Sequence, residues 1–214
     1  MTPPPLLHAL PLFPLGTVLF PGGLLPLRIF EVRYLDMIGR CHKVGAPFGV
    51  VSLTRGNEVR VAGAEAESFA AVGTLAFIRE FNVPQPGLVQ IECLGAQRFR
   101  IEQSVRQKHG LWTAEAELLP DDLAVDVPDD LLPVAAALRQ LVATLEQHRA
   151  EGRGELRLPL AEPLRYGDCG WLANRWCELL PMPVELRQRL MALDSPLMRL
   201  ELVGDLLARA DIVP

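Results

Sequence analysis

The chain has 214 residues, of which 50% are hydrophobic and 22% are charged. A chain of this length and composition is expected to fold as a globular protein and to bury roughly 70% of the surface of its unfolded state. The formal net charge is −5, with 11 basic and 10 acidic residues up to Pro120 and 10 basic and 16 acidic residues after it, which excludes binding of polyanions by bulk charge.

The first 35 residues are apolar and are interrupted by seven prolines, and His8 is the only ionisable side chain before Arg28. A membrane-spanning helix needs about 20 residues whose backbone groups pair with one another, and proline has no N–H to donate. A signal peptide is excluded as well, because no lysine or arginine precedes the apolar run. We therefore expect buried strands at residues 18–20 and Leu24–Ile29, joined by a turn at residues 21–23.

The remainder of the first half has mainly the pattern of β-strands. Apolar runs, most of them separated by glycine or proline, predict strands at residues 48–53, 72–78, 88–94, 98–105 and 111–118. One segment differs, because Tyr34, Met37, Ile38 and Cys41 recur at helical spacing within residues 31–41. The first half is therefore predicted to be a small barrel or curled sheet with one helix.

The second half is predicted to be helical. Two prolines and five aspartates interrupt the hydrophobic pattern between residues 119 and 130, and we place a boundary there that divides the chain into domains at 1–120 and 121–214. Apolar residues from Leu131 to Leu145 mark one long helix. Residues 151–167 are expected to form an ordered loop. Three shorter helices follow, with Asp168, Pro183 and Ser195 at or near their starts.

Several short motifs extend along nearly the whole chain and are more specific together than any one of them alone. They are Leu10-Pro11-Leu12-Phe13-Pro14-Leu15, Val18-Leu19-Phe20-Pro21-Gly22-Gly23, Leu27-Arg28-Ile29-Phe30-Glu31-x-Arg33-Tyr34, Phe48-Gly49-Val50-Val51, Val72-Gly73-Thr74-Leu75-Ala76, Gly95-x-x-Arg98-Phe99-Arg100-Ile101 and Leu179-Leu180-Pro181-Met182-Pro183. With these motifs the chain resembles the Lon protease N-terminal (substrate-binding) domain family. The resemblance implies an α+β fold, in which an N-terminal PUA-like, mainly antiparallel β-barrel with one helix is followed by a C-terminal α-helical bundle.

The resemblance also draws attention to modules that the sequence does not contain. Lon proteases continue into an ATPase module, whose phosphate loop needs glycines and a Gly-Lys-Ser or Gly-Lys-Thr end to hold phosphates. No such string occurs, and the only lysines are Lys43 and Lys108. The Ser-Lys protease module of the full enzyme is absent as well. The resemblance therefore implies a stand-alone, bacterial-type member that is not an enzyme, needs no cofactor, and binds unfolded or degron-bearing polypeptide segments or a partner protein.

The four cysteines, at positions 41, 93, 169 and 177, are expected to be reduced thiols of a cytoplasmic protein, because no signal peptide is present. Cys169 and Cys177 would lie about 12 Å apart on one helix, too far for a disulfide and awkward for a shared metal. Cys41 and His42 are neighbours on a helix and would not face each other. Serine-hydrolase and zinc-protease motifs do not occur. We therefore predict no metal site and no catalytic residue.

The densest group of polar and aromatic side chains consists of Arg28, Phe30, Glu31, Arg33 and Tyr34. In a binding site, the arginines would meet carboxylates or carbonyls of an extended peptide, and the rings would take apolar side chains. The same residues could instead be architectural: Glu31 would favour a helix start, Arg28 would pair with it, and Tyr34 would anchor the helix. We predict a peptide- or partner-binding site here and keep the architectural alternative open.

Two other functions also remain open. RNA binding would use Arg98, Arg100, Arg106 and Lys108 around Phe99, because PUA-like folds include RNA binders, although strand alternation places Arg98 and Arg100 on one solvated face. A small hydrolase would need a deep polar pocket with titratable groups within hydrogen-bond reach. The lack of a basic excess disfavours a nucleic-acid partner, no membrane partner is expected, and the oligomeric state is not predicted.

Overall fold

The structure of the protein is a computed structural model that describes residues 5–56, 67–153 and 160–213. Part of the loop predicted at residues 151–167 lies outside these ranges. The chain divides into two compact units. The first unit contains the described residues up to Asp121 together with Pro183–Gln188, and the second contains Asp122–Met182 and the described residues from Arg189 onwards.

Within the described ranges, strands dominate the first half of the chain and helices dominate the second. The strands are β1 (Leu6–Leu15), β2 (Leu24–Ile29), β3 (Phe48–Arg55), β4 (Ser68–Phe69), β5 (Val72–Gln85), β6 (Leu88–Arg106) and β7 (Trp112–Leu118). The helices are α1 (Val32–Val44), α2 (Leu132–Ala150), α3 (Cys169–Leu179), α4 (Val184–Ala192) and α5 (Pro196–Arg209), with a short 3-10 helix at Asp129–Leu131. The protein is therefore a mixed α/β fold with a largely antiparallel sheet.

The strands of the first unit pair in a circuit. β1 is antiparallel to β7 and parallel to β3, β7 pairs with β6, β6 with β5, and β5 with β3, so the pairings return to β1. β2 lies outside this circuit and pairs antiparallel with β6, from Leu24 opposite Leu94 to Ile29 opposite Val89. The arrangement brings residues from both ends of the first unit's sequence into adjacent strands.

Strand β1 is longer than the strand pieces expected from the sequence, although it contains Pro11 and Pro14. Its residues pair with β7 as far as Leu12 and with β3 from Leu12 to Leu15. Each proline therefore has a pairing neighbour on one side only. Because proline lacks the N–H of a ladder hydrogen bond, a strand with one paired edge at a time can accommodate both residues.

The prediction of a strand at residues 18–20 is wrong. The segment is buried but irregular, because its backbone groups bond to a turn and to a side chain instead of a neighbouring strand. The Thr74 hydroxyl donates to the Leu19 carbonyl at 2.6 Å, and the Gly23 N–H donates to the Phe20 carbonyl at 3.0 Å. Leu24–Ile29 does form the predicted strand.

The strands predicted separately at residues 88–94 and 98–105 form the single strand β6. Gly95 suggested an interruption, but it lies within the strand at a point where another segment comes very close. A Cβ atom built on Gly95 would lie 2.2 Å from the Phe20 carbonyl oxygen. The glycine is therefore required for close approach of two backbones and does not end the strand.

The core of the first unit forms around α1. Tyr34, Met37, Ile38 and Cys41, whose spacing predicted the helix, are all buried. The helix ends at Gly45, which adopts φ of 67° and donates its N–H to carbonyls of the last turn. The buried face of α1 packs into a cluster that includes Phe13, Leu15, Ile29, Phe48, Val50, Ile91 and Cys93. The predicted helix at residues 31–41 is thus confirmed.

The helices α3, α4 and α5 begin at the residues that the sequence indicated. The Asp168 carboxylate accepts a hydrogen bond from the backbone N–H of Trp171 at 2.6 Å before α3. The Ser195 hydroxyl accepts one from the backbone N–H of Met198 at 3.2 Å before α5. Pro183 directly precedes α4. These capping interactions explain the sharp starts of α3 and α5.

Arg199 on α5 is the most extensively bonded buried charge described in the second unit. Its side chain is 1% exposed, and its guanidinium donates to the Leu190 and Leu193 carbonyls, to Asn174 Oδ1 and to the Asp122 carboxylate. Because all these partners belong to the second unit, Arg199 fixes α5 to α3 and to the end of α4. None of the helices within the described residues is long and apolar enough to cross a membrane.

Candidate functional site

A pocket of about 170 Å³ lies beside strand β2 in the first unit. We call it the β2 pocket. Its wall is formed by consecutive residues of β2 and the connection to α1, by the end of β1, and by one residue of α1. The lining residues are Phe13, Leu15, Pro26, Leu27, Arg28, Ile29, Phe30, Glu31 and Tyr34.

The β2 pocket follows an edge of β2. In a strand, successive side chains point to opposite faces, and Pro26 and Arg28 are exposed whereas Leu27 is half-buried and Ile29 is buried. Since residues of both faces line the pocket, the pocket extends alongside the strand and does not lie on either face. Arg28 and Pro26 thereby become part of a wall that, apart from Glu31, is otherwise apolar.

Two aromatic residues have different positions in the β2 pocket. Phe30 connects β2 to α1 and is 56% exposed, which is unusual for a phenylalanine with no partner to cover it. Tyr34 is 3% exposed, and its ring stacks on Phe13 with the ring centroids 4.0 Å apart. Phe30 is therefore available to a ligand, while Tyr34 and Phe13 form a rigid floor.

Arg33, the fifth predicted site residue, does not line the pocket. Its side chain is 5% exposed, and its guanidinium carbon lies 4.5 Å from the centre of the Tyr34 ring. Its Nε donates to Glu31 at 2.9 Å, one terminal nitrogen donates to the Gly110 carbonyl at 2.9 Å, and the other donates to Glu67 at 3.2 Å. Arg33 thus supports the floor of the pocket from behind.

The structure corrects the architectural alternative in one respect. The sequence suggested an ion pair between Arg28 and Glu31, whereas in the structure Glu31 forms its ion pair with Arg33. The two residues differ because Arg33 lies in the first turn of α1 with its side chain turned inward, while Arg28 lies on the exposed face of β2. Arg28 is consequently available to a ligand at the edge of the pocket.

The fold shifts the pKa values of two residues at the pocket floor, Tyr34 and Arg33. Burial raises the pKa of Tyr34 well above its ordinary value, with smaller effects from Arg33, Glu67 and Glu31. Burial alone would lower the pKa of Arg33, but the charges of Tyr34, Glu31 and Glu67 outweigh it and raise this pKa. Near neutral pH the phenol stays neutral and the guanidinium stays charged. Neither side chain is therefore suited to exchange a proton near neutral pH.

The hydrolase alternative requires a nucleophile or base in a polar pocket, and the β2 pocket does not have that character. Its lining contains no serine, threonine, cysteine or histidine. Its carboxylate, Glu31, accepts from Arg33. Among the described residues, no group of three or more His, Cys, Asp or Glu side chains could hold a metal ion.

Two residues that contribute to this site, Glu67 and Trp112, could not be identified from the local sequence. Glu67 is 7% exposed at its side chain, and one of its oxygens accepts from the indole N–H of Trp112 at 2.8 Å while the other accepts from Arg33. These residues come from three distant parts of the chain and meet only in the folded unit. A carboxylate is rarely buried without a cationic partner. The burial of Glu67 is explained by its ion pair with Arg33, which can be recognised only in the folded structure.

The group of cations considered for RNA binding is only partly exposed. Arg98 is 4% exposed, which contradicts the predicted solvated face for this residue, and the carbonyl of Arg98 accepts from the Leu119 N–H at 2.9 Å. Arg100, Arg106 and Lys108 are exposed. Strand alternation failed here because Arg98 and Phe99, successive residues of β6, are both buried, so both faces of the strand are covered at this point.

The four cysteines are all free and buried. Burial raises the pKa of the Cys93 thiol to about 12 and raises the pKa values of Cys41 and Cys169 as well. His42 is exposed and stacks on Phe81 at 4.2 Å, away from any role as a base for Cys41. The cysteines behave as small hydrophobic residues, as the sequence indicated.

Comparison with protein families gives a match over most of the chain. The model described as the ATP-dependent protease La (LON) substrate-binding domain matches residues 9–209. The chain belongs to this family. The matched domain leaves no room in the 214 residues for an ATPase or a protease module. No curated protein matches this Lon-family chain.

Two solved structures are similar to this Lon-family chain. The Lon N-terminal domain protein from Xanthomonas campestris is 28% identical, with a TM-score of 0.70, and the alignment covers 93% of this chain and 98% of that one. The N-terminal domain of the Mycobacterium avium complex Lon protease is 17% identical, with a TM-score of 0.54, and the alignment covers 92% of this chain and 96% of that one. The second similarity concerns the fold alone.

Proposed function

We propose that this Lon-family protein binds unfolded polypeptide segments at the β2 pocket and catalyses no reaction itself. The observation that carries the proposal is the exposed ring of Phe30 beside an apolar pocket with Arg28 at its edge. The family description, a substrate-binding domain, supports the same kind of partner. Arg28, Phe30 and the rim carboxylate of Glu31 contact the polypeptide, Tyr34 forms the floor, and Arg33 holds the floor in place.

The size of the pocket limits how strongly a single side chain can be bound. Burying one leucine- or phenylalanine-sized side chain contributes about 1.5–3 kcal/mol. A dissociation constant of about 1 mM already requires about 4 kcal/mol, so one side chain in the pocket holds a polypeptide only weakly. Useful affinity therefore depends on further contacts along the segment or on several segments of one substrate. Weak, renewable contacts suit a module that samples unfolded chains.

The proposal is tested by fluorescence anisotropy with the full chain and a permanently unfolded probe, fluorescein-labelled lysozyme that has been reduced and carboxymethylated. The Phe30→Ser variant is expected to weaken binding about 5- to 30-fold, corresponding to about 1–2 kcal/mol of lost apolar contact. Val83→Ser is the matched control, because Val83 is 54% exposed and does not line the pocket. Failure of the wild type to bind, or equal loss in both variants, would contradict the proposal.

We also propose that the first unit is a PUA-like β-barrel, that the second is a helical bundle, and that the two correspond to the domains at 1–120 and 121–214 except for Pro183–Gln188, which belongs to the first unit. The circuit of pairings from β1 through β7, β6, β5 and β3 back to β1 supports the barrel. The hydrogen bond from the Trp176 indole N–H to the Val134 carbonyl, at 3.1 Å, and the contacts of Arg199 support a packed group of helices.

A further inference from the structure

Strand β2 has one paired edge and one edge without a neighbouring strand. Within the described residues, β2 pairs with β6 and with no other strand. An unpaired edge presents backbone N–H and C=O groups that can pair with another extended chain. The β2 edge is short, which limits how much of a second chain it can hold.

The alternation of hydrogen bonds along β2 shows which of its backbone groups point away from β6. At the start of the ladder the Gly95 N–H donates to the Gly23 carbonyl at 2.8 Å. In an antiparallel ladder, alternate residues direct both backbone groups toward the partner strand. Counting from Gly23, residues 25, 27 and 29 therefore bond to β6, and Leu24, Pro26 and Arg28 direct their groups to the outer edge. Pro26, which has no N–H, fits this phase without leaving a β6 partner unsatisfied.

The outer edge of β2 coincides with the β2 pocket. Six consecutive residues, 26–31, line the pocket, and residues of both strand faces contribute to it. A chain that lies along this edge would place one side chain in the pocket, while the exposed guanidinium of Arg28 lies beside it. Because Glu31 is already paired with Arg33, the charge that Arg28 offers is complementary to an acidic side chain.

We propose that a polypeptide substrate binds as an added β-strand along the outer edge of β2, with an apolar side chain in the β2 pocket and an acidic side chain beside Arg28. This inference rests on the proposed function, because it describes how the same site holds its polypeptide. Main-chain hydrogen bonds to Arg28, to Leu24 and to the Pro26 carbonyl are independent of the substrate's sequence. The pocket and Arg28 then select side chains at alternate positions. Pro26 also limits pairing of β2 edges between copies of the protein, since it offers no donor.

The first experiment changes the ligand. The probe is a fluorescein-labelled, capped peptide in which valine and threonine alternate around one phenylalanine and one aspartate, and each backbone nitrogen is methylated in turn. For an added strand, methylation at every second residue weakens binding to the full chain about 5-fold or more, and methylation between these positions changes it less than about 2-fold. Weakening without this alternation would overturn the proposal.

The second experiment changes the edge and uses a matched pair of variants. Arg28→Ala removes the guanidinium, whereas Arg28→Pro removes the guanidinium and the outward N–H without touching the ladder to β6. Arg28→Pro is expected to bind the peptide about 3- to 10-fold more weakly than Arg28→Ala does. Equal affinities would contradict strand addition. If Arg28→Pro loses its native circular dichroism, the methylated peptides on the wild type decide the question.

The third experiment tests the charge. Replacing the peptide's aspartate by lysine is expected to weaken binding to the wild type. Binding of the lysine peptide is expected to be restored in the Arg28→Glu variant. Arg100→Glu, which changes an exposed residue outside the pocket, is expected to behave as the wild type does. No restoration would sink the role of Arg28. If wild-type protein binds neither peptide nor unfolded lysozyme, the proposed function fails; if it binds both without a methylation pattern, only strand addition fails.

Discussion

Arg33 connects the pocket floor to two carboxylates, and its burial makes the arrangement sensitive to substitution. The guanidinium serves Glu31, Glu67 and the Gly110 carbonyl at once, a geometry that the planar fork of arginine allows and a lysine ammonium does not. Removal of one partner of a buried ion pair leaves the other charge without compensation. The residue that carries no direct ligand contact is therefore the one on which the site's shape depends.

We expect Arg33→Ala to lower the free energy of unfolding by about 3 kcal/mol, because Glu67 loses its cationic partner and, among the described residues, keeps the bond to Trp112. Arg33→Lys should fall between this variant and the wild type. Urea unfolding followed by circular dichroism measures the change. Arg28→Ala is the control, since an exposed side chain should alter stability by less than about 0.5 kcal/mol. An Arg33→Ala protein as stable as the control would show that the buried network is dispensable.

Cys93 should make the stability of the first unit depend on alkaline pH. Burial, with Glu92 and Cys41 nearby, raises the pKa of its thiol from 9.0 to about 12. The unfolded chain therefore releases this proton first, so the contribution of the buried thiol is complete below about pH 9 and decreases as the pH rises toward 12. Cys93→Ala should be less stable than the wild type at about pH 8, and the difference should shrink at about pH 10.5. Urea unfolding at both pH values checks this, and a constant difference would show that the thiol titrates normally.

At the scale of elements, two glycines have opposite surroundings. Gly95 lies in β6 against Phe20 and Leu19, whereas Gly39 lies on α1 with no atom within 4 Å of the position of an added Cβ. A carbonyl oxygen cannot move aside as a flexible side chain can. The same substitution should thus have opposite effects in the two elements.

Gly95→Ala is expected to cost about 2 kcal/mol or more of unfolding free energy, because the new Cβ would lie 2.2 Å from the Phe20 carbonyl oxygen. Gly39→Ala should raise stability by about 0.5–1 kcal/mol through helix propensity alone. Thermal and urea unfolding of the two variants beside the wild type provides the measurement. If Gly95→Ala were neutral, β6 and the segment before β2 would have to lie further apart than described.

Local signals predicted the helices better than they predicted the strands. The spacing within residues 31–41 and the caps at Asp168 and Ser195 act within a few residues, so they can be identified without the fold. No strand was predicted at the proline-containing residues of β1, and the split pairing of β1 with β7 and β3 explains how a strand forms there. The break expected at Gly95 was likewise a tertiary contact.

The candidate site was only partly accessible from the sequence. The density of polar and aromatic residues singled out Arg28, Phe30, Glu31 and Tyr34, which line one pocket. The inward position of Arg33 could not be read, because its partners Glu67 and Gly110 come from other parts of the chain. The outer edge of β2 is also a property of topology, since it depends on which strands lie beside β2.

For the whole molecule, the division into units does not follow the chain in one step. Pro183–Gln188 belongs to the first unit, although it lies far beyond Asp121 in the sequence. The side-chain amide of Gln188 donates to the Val72 carbonyl at 2.9 Å, at the start of β5. A fragment that ends at Asp121 therefore lacks part of its own compact unit.

We expect a fragment ending at Asp121 to be less stable than the same fragment with Pro183–Gln188 attached through a glycine-serine linker. The difference should be about 1 kcal/mol or more, because the attached segment restores the bond to the Val72 carbonyl and covers apolar surface. Urea unfolding of the two fragments gives the comparison, and a Gln188→Ala version of the longer one isolates the hydrogen bond. Identical midpoints for all three would show that the segment contributes nothing.

The pairing of β1 with β7 has a consequence for how the protein is made. The ribosome synthesises Leu6–Leu15 before its antiparallel neighbour, Trp112–Leu118, which follows about 100 residues later. At typical elongation rates this interval lasts roughly 5–20 s. During that time this segment offers the apolar side chains that the β2 pocket is proposed to hold, but it has no acidic side chain for Arg28.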